Sequence, residues 1–196
     1  MSHHIYTTPA IVLESLPGRE ADRRYTIFTS EFGVIRATAT GVRRGESKLR
    51  YALQEFSALS VSLVRGRDIW RVTNASAGEN IFWRERANKP AMEMVARVFR
   101  LIIRLVPGEE KTEALYNEVA SALRFLGEHQ LSAESLPLFE QIVVLRMLYH
   151  LGYVGAEPSL TPFLSGSVSP EQLESARVNR RKILAAINFS LKESQL

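Results

Sequence analysis

Near residue 80 the periodicity of the chain changes, and this change constrains the fold more than any other feature. Before it, short segments rich in Val, Ile, Thr and Phe alternate with glycine-bearing turns, the mark of strands. After it, apolar residues recur every three or four positions over long stretches, the mark of helices. Strands followed by helices, without strand–helix alternation, argue against a doubly wound sheet and predict an α+β chain. The expected division is a β module over residues 1–80 and an all-α helical module over residues 81–196.

Five strands are expected, at Ala10–Leu16, Arg23–Thr29, Val34–Gly41, Phe56–Val64 and Asp68–Ala77. Pro17-Gly18 ends the first, Glu31-Phe32-Gly33 joins the second and third, and Gly66 turns the fourth into the fifth. In the third strand Ile35, Ala37 and Ala39 share one face and Arg36, Thr38 and Thr40 the other. The inward residues are small, as the interior of a tight barrel requires. Five short antiparallel strands in this length suit a closed OB-fold β-barrel. The longest gap, Val42 to Glu55, is where such a fold often carries a helix.

In the second half, Ala91–Val106 is apolar nearly all round, with Glu93, Arg97, Arg100 and Arg104 on one narrow stripe. Thr112–Glu128 and Ser135–Leu151 read as further helices, and residues 155–168 as a loop. Ser169-Pro170-Glu171-Gln172 combines a capping box with Pro at the first helical position and starts the last helix.

Cysteine is absent from the 196 residues, which removes disulfides, thiol catalysis and cysteine-bound metal and fits a reducing compartment. The opening Met1-Ser2-His3-His4-Ile5 lacks a secretory pattern, and Ala91–Val106 is too short and too charged to span a bilayer. A soluble, cytoplasmic protein with no membrane partner is expected.

Net charge is only +4, but the cations cluster. Arg36, Arg43, Arg44, Lys48 and Arg50 stand against the single acid Glu46. Arg65, Arg67 and Arg71, with Asp68 among them, bracket the last turn of the β module. Arg177, Arg180, Arg181 and Lys182 form a third group, with no acid between Glu174 and Glu193. Cations in barrel loops and on a strand face suit a phosphate backbone; they also suit plain solvation. Tyr25, Tyr51 and Trp70 are candidate stacking platforms for bases, or core packing. On the last helix Arg177 and Arg180 project to the side of Leu173, Leu184, Ile187 and Leu191. That arrangement reads either as a helix break near Asn179 or as a positively rimmed apolar groove for an acidic peptide.

Catalytic signatures are poor. Gly41 to Lys48 has glycines and a lysine but not the P-loop order. Glu20 and Asp22, with Arg19, Arg23 and Arg24 around them, read as a salt-bridged turn before they read as cation ligands. His3, His4, His129 and His150 lack ligand-like partners, and Ser47-Lys48 is weak as a nucleophile–base pair. No enzyme, metal or cofactor is expected.

Three blocks at the start carry a resemblance: Ala10-Ile11-Val12-Leu13, Gly18-Arg19-Glu20-Ala21-Asp22, and Phe28 through Ala37. Gly41-Val42-Arg43-Arg44, Ser47-Lys48-Leu49 and Ala52 through Phe56 continue it. Phe139-Glu140, Leu145 through Leu148 and Leu151-Gly152-Tyr153 extend it into the helical half. Together these resemble the recombination mediator RecO. The resemblance implies an OB-fold joined to helices and a non-enzymatic protein that binds single- and double-stranded DNA and anneals complementary strands. It implies action in DNA repair and recombination with RecR and with the C-terminal tail of single-stranded DNA-binding protein (SSB), to load RecA. Arg36, Arg43, Arg44, Lys48 and Arg50 carry over as DNA contacts. The four-cysteine zinc insert of many members is missing from residues 154–169, and Leu136-Pro137-Leu138 replaces the basic residues that many members place before Phe-Glu. The SSB-tail site is then expected at Arg146, Arg97 or the 177–182 group, with Leu184 and Ile187 as its apolar part. An OB-fold protein–protein adaptor and an RNA-binding factor use the same basic loops and remain alternatives.

Overall fold

The computed structural model describes residues 4–81 and 88–193; His3 lies outside them. Five strands form, β1 (Ile5–Pro17), β2 (Arg23–Thr29), β3 (Gly33–Ala39), β4 (Ser57–Arg65) and β5 (Trp70–Asn80). Their hydrogen-bonded order, β1-β2-β3-β5-β4, closes on itself because β1 also pairs with β4. β1 does double service. Its first half pairs with β4 and its second half with β2, and a bulge between Val12 and Glu14 bends it between them. Only β3 and β5 run parallel, through Ala37 with Trp70 and Thr38 with Arg71. This is the OB-like arrangement that the sequence predicts, with strand ends that differ by a few residues. Ile27, Ile35, Ala37, Ala39, Val61 and Trp70 fill its interior. In the gap between β3 and β4 the chain makes the short helix α1 (Leu49–Ala52).

Helices follow: α2 (Lys89–Leu105), α3 (Glu113–Glu128), α4 (Ser135–His150), α5 (Thr161–Leu164) and α6 (Pro170–Glu193). The short α5 falls where the sequence suggests only loop. The chain divides into two compact units, residues 1–86 with 106–116, and residues 87–105 with 117–196. In the first unit the 106–116 segment lies on the closed sheet. Gly108 bridges to Gly33 and Val34, and Tyr116 packs on Phe28 with ring centroids 5.5 Å apart. Gly33 has φ +60°, and a Cβ there would lie 2.5 Å from the Glu110 carbonyl oxygen, so no larger residue fits.

In the second unit α4 is the central helix and packs against α2, α5 and α6. Its residues from Gln141 to Leu148 are all buried. A bidentate pair from Arg97 to Glu140, at 2.6 and 2.7 Å, ties α2 to α4. The α6 start follows its capping box: Gln172 N–H donates to Ser169 Oγ at 3.2 Å. Among the described residues no helix is long and apolar enough to cross a membrane.

Candidate nucleic-acid interface

Strand alternation decides which cations face out. In β3, Ile35, Ala37 and Ala39 are buried and Arg36 is exposed, as their two-residue period requires. Register then builds a face from several strands. Arg36 lies opposite Thr26 on β2, and Thr38 lies opposite both Arg24 on β2 and Arg71 on β5. Arg24 and Arg71 therefore flank Thr38, about 10 Å apart at two strand spacings, and Arg36 projects beside them on the same outer face. All three arginines are exposed, and none forms an ion pair among the described residues. Arg24 is missing from the sequence-based site; its only signal is alternation with the buried Tyr25 and Ile27.

The loop after β3 supplies the second group. Gly41, at φ +69°, donates its N–H to Asp22 Oδ1 at 2.8 Å, and Arg43 N–H donates to the Ala21 carbonyl at 2.9 Å. The loop is thereby stitched to the β1–β2 turn. Arg43 Nη1 donates to the Glu20 carbonyl at 3.0 Å. The expected salt-bridged turn is thus a backbone-capping turn: the Asp22 carboxylate holds a peptide N–H, and Glu20 contributes its carbonyl. Arg43, Arg44, Lys48 and Arg50 are exposed, and among the described residues none pairs with a carboxylate. Tyr51, next to Arg50, is 69% exposed. It is the one proposed stacking ring with an open face, because Tyr25 and Trp70 are core residues.

The turn cations differ. Arg65 Nη2 donates to Glu109 Oε2 at 2.6 Å and sits over the Trp70 ring, 5.3 Å from its centroid. Trp70 Nε1 donates to the other Glu109 oxygen at 3.2 Å. Arg65 is thus engaged with the 106–116 segment, whereas Arg67 and Arg71 are exposed and unpaired among the described residues.

In the helical unit the candidate partner-binding residues separate. Arg146 is 1% exposed. Its Nε donates to the Phe163 carbonyl, Nη1 to Glu118 and the Gly166 carbonyl, and Nη2 to the Ser165 carbonyl and Gln172. These bonds hold the chain around α5 onto α4 and leave no donor for a partner, which corrects its expected role. Arg97 is engaged with Glu140, and that hydrogen bond raises its pKa further. On α6, Arg177 lies 3.4 Å from both Glu134 and Glu174. Arg180 and Arg181 are exposed and unpaired among the described residues, Leu184 is half-buried and Ile187 is buried. The helix runs unbroken through Asn179, so no break resets its register.

Among the described residues no three His, Asp, Glu or Cys gather as a metal site. His129 stacks on Phe125, with ring centroids 4.2 Å apart.

Residues 1–80 match the family described as Recombination protein O N terminal. DNA repair protein RecO of Chlorobium limicola is 31% identical over 161 residues, 80% of this chain and 58% of that protein. DNA repair protein RecO of Dehalococcoides mccartyi is 29% identical over 191 residues, 97% of this chain and 67% of that protein. That of Alkaliphilus metalliredigens is 28% identical over 159 residues, 81% of this chain and 61% of that protein. The chain thus spans roughly three fifths of the length of such relatives.

Proposed function

We propose, for a chain that resembles DNA repair protein RecO along most of its length, that it binds the phosphate backbone of single- and double-stranded DNA. It anneals complementary strands and acts as a non-enzymatic mediator in recombinational repair. One observation carries the reading. In the OB-like unit Arg36, Arg43, Arg44, Lys48, Arg50, Arg67 and Arg71 are exposed and, among the described residues, free of carboxylate partners. Cations without internal partners are the ones that can replace the counterions of a phosphate chain. Arg24 joins this group by register, whereas Arg65 is held by Glu109 over the Trp70 ring.

Annealing follows from neutralisation. Two strands held on basic surfaces lose the repulsion that keeps them apart, and pairing then proceeds without a nucleotide cofactor. The loop at Gly41 is not a phosphate cradle, since its N–H is already given to Asp22. The partners are RecR and the acidic tail of SSB, with RecA loaded as a consequence. Arg180 and Arg181 on α6, beside the half-buried Leu184, are the tail contacts, and Arg177, already paired with Glu134 and Glu174, is a weaker one. The test is annealing of complementary strands, bare and SSB-coated, in buffer without ATP. Annealing in both cases supports the proposal; no acceleration at any protein concentration refutes it, and a preference for structured RNA over DNA would move the reading to an RNA-binding factor.

A further inference from the structure

At one end of the closed sheet, beneath α1 and the loop after β3, lies a cleft of about 410 Å³. Arg23, Arg43 and Arg50 line it together with Val42, Leu53 and the ring of Tyr25. Two of the guanidinium groups are fixed by neutral oxygens. Arg23 donates to Ser15 Oγ at 2.9 Å and Arg43 to the Glu20 carbonyl at 3.0 Å. Glu55, the carboxylate at the end of this chain of bonds, accepts the Ser15 N–H and hydroxyl through Oε1, both at 2.9 Å, and makes no ion pair with the three arginines among the described residues. None of the three arginines forms an ion pair among the described residues. A second, independent feature points to a ligand: the Tyr25 hydroxyl is buried and has no hydrogen-bond partner. A buried hydroxyl without a partner is costly, and an entering acceptor relieves it.

The shape separates this cleft from the outer face. A strand passing along a surface presents phosphodiesters, each with one charge and a neighbour on either side. A concave site with three guanidinium groups and a spare hydroxyl donor suits a group that ends there and carries more charge. A terminal phosphate monoester has that chemistry, with nearly two charges at neutral pH and three free oxygens. We propose that this cleft receives the terminal phosphate of a DNA strand. The proposal rests on the DNA reading above and deepens it, adding recognition of strand ends to binding along strands.

Fluorescence anisotropy of one oligonucleotide sequence, carrying a phosphate or a hydroxyl at the unlabelled end, tests it. Phosphorylated strands should bind about tenfold more tightly at low salt, as charge-assisted hydrogen bonds imply. That ratio should shrink as pH falls below about 6, where the monoester loses its second charge. Arg23→Gln should bring the ratio close to one and Tyr25→Phe should lower it, both leaving affinity for hydroxyl-ended strands unchanged. Tyr25→Phe keeps the ring and its packing, so it reports even where Arg23→Gln disturbs folding. Equal affinity for the two ends in the wild-type protein would overturn the proposal while leaving DNA binding in place. Binding of free mononucleotide without any end preference would overturn the strand-end assignment. Failure to bind either oligonucleotide would remove the DNA reading itself.

Discussion

At the residue scale the largest consequence rests on Arg146. A guanidinium in the middle of a buried helix is tolerable only if every donor is met, and its five hydrogen bonds meet them. Truncating it strands Glu118 and three backbone carbonyls. Arg146→Ala should therefore cost about 3–5 kcal/mol in equilibrium denaturation; a loss under about 1 kcal/mol would mean the network is idle. The sequence offers no way to distinguish this arginine from a surface one, because its acceptors lie 17 to 28 residues away. Two tyrosines give a second residue-scale expectation. Burial pushes the Tyr25 hydroxyl up to about 12, with Arg23 opposing and Glu55 adding, and burial alone does the same to Tyr116. The unfolded chain ionises such groups near pH 10. Their contribution to stability is then complete below about pH 10 and is lost as pH rises towards 12, by about 1 kcal/mol per tyrosine at pH 11. Denaturation at pH 9 and pH 11 should show that loss, and Tyr25→Phe/Tyr116→Phe should remove most of it.

At the scale of elements, α6 shows how a helical pattern can be read slightly out of phase. Leu173, Leu184, Ile187 and Leu191 suggest one face by composition, but the buried line runs through Leu173, Ala176, Ile183, Ile187 and Ser190. Arg180 falls on that line between Ala176 and Ile183 and is still exposed, its stem free to cover apolar surface while its head reaches water. Arg177 is partly neutralised by Glu134 and Glu174. The acidic tail peptide should accordingly lose more affinity in Arg180→Ala/Arg181→Ala than in Arg177→Ala, by about fivefold or more in a fluorescence titration, since each exposed pair is worth up to about 1 kcal/mol. Equal effects would place the peptide elsewhere on the helical unit. The strands were easier to read than this helix: their two-residue period leaves one choice of face, and Arg36 follows from Ile35, Ala37 and Ala39. The limits of β2 are those its residues suggest, Arg23–Thr29.

At the scale of the whole molecule, the change in periodicity near residue 80 carries the architecture, and what escaped it is long-range. Residues 106–116 lie on the closed sheet because Glu109 meets Arg65 and Trp70, and Gly108 meets Gly33. Nothing local in Pro107-Gly108-Glu109 announces that. Arg24 and the Arg23–Tyr25 cleft are hidden for the same reason, since strand register and the return of α1 create them. Phosphate binding by the unpaired cations of the OB-like unit, as proposed above, is read from the slope of log affinity for single-stranded DNA against log salt, in the wild type and in Arg43→Ala/Arg44→Ala/Lys48→Ala. If each residue neutralises one phosphate, the triple variant flattens the slope by about 2. It weakens binding almost equally for all sequences, because phosphate contacts carry no base information. A slope unchanged within error, in a variant that folds normally, would exclude phosphate contacts by these residues and return them to the role of solvated loop charges.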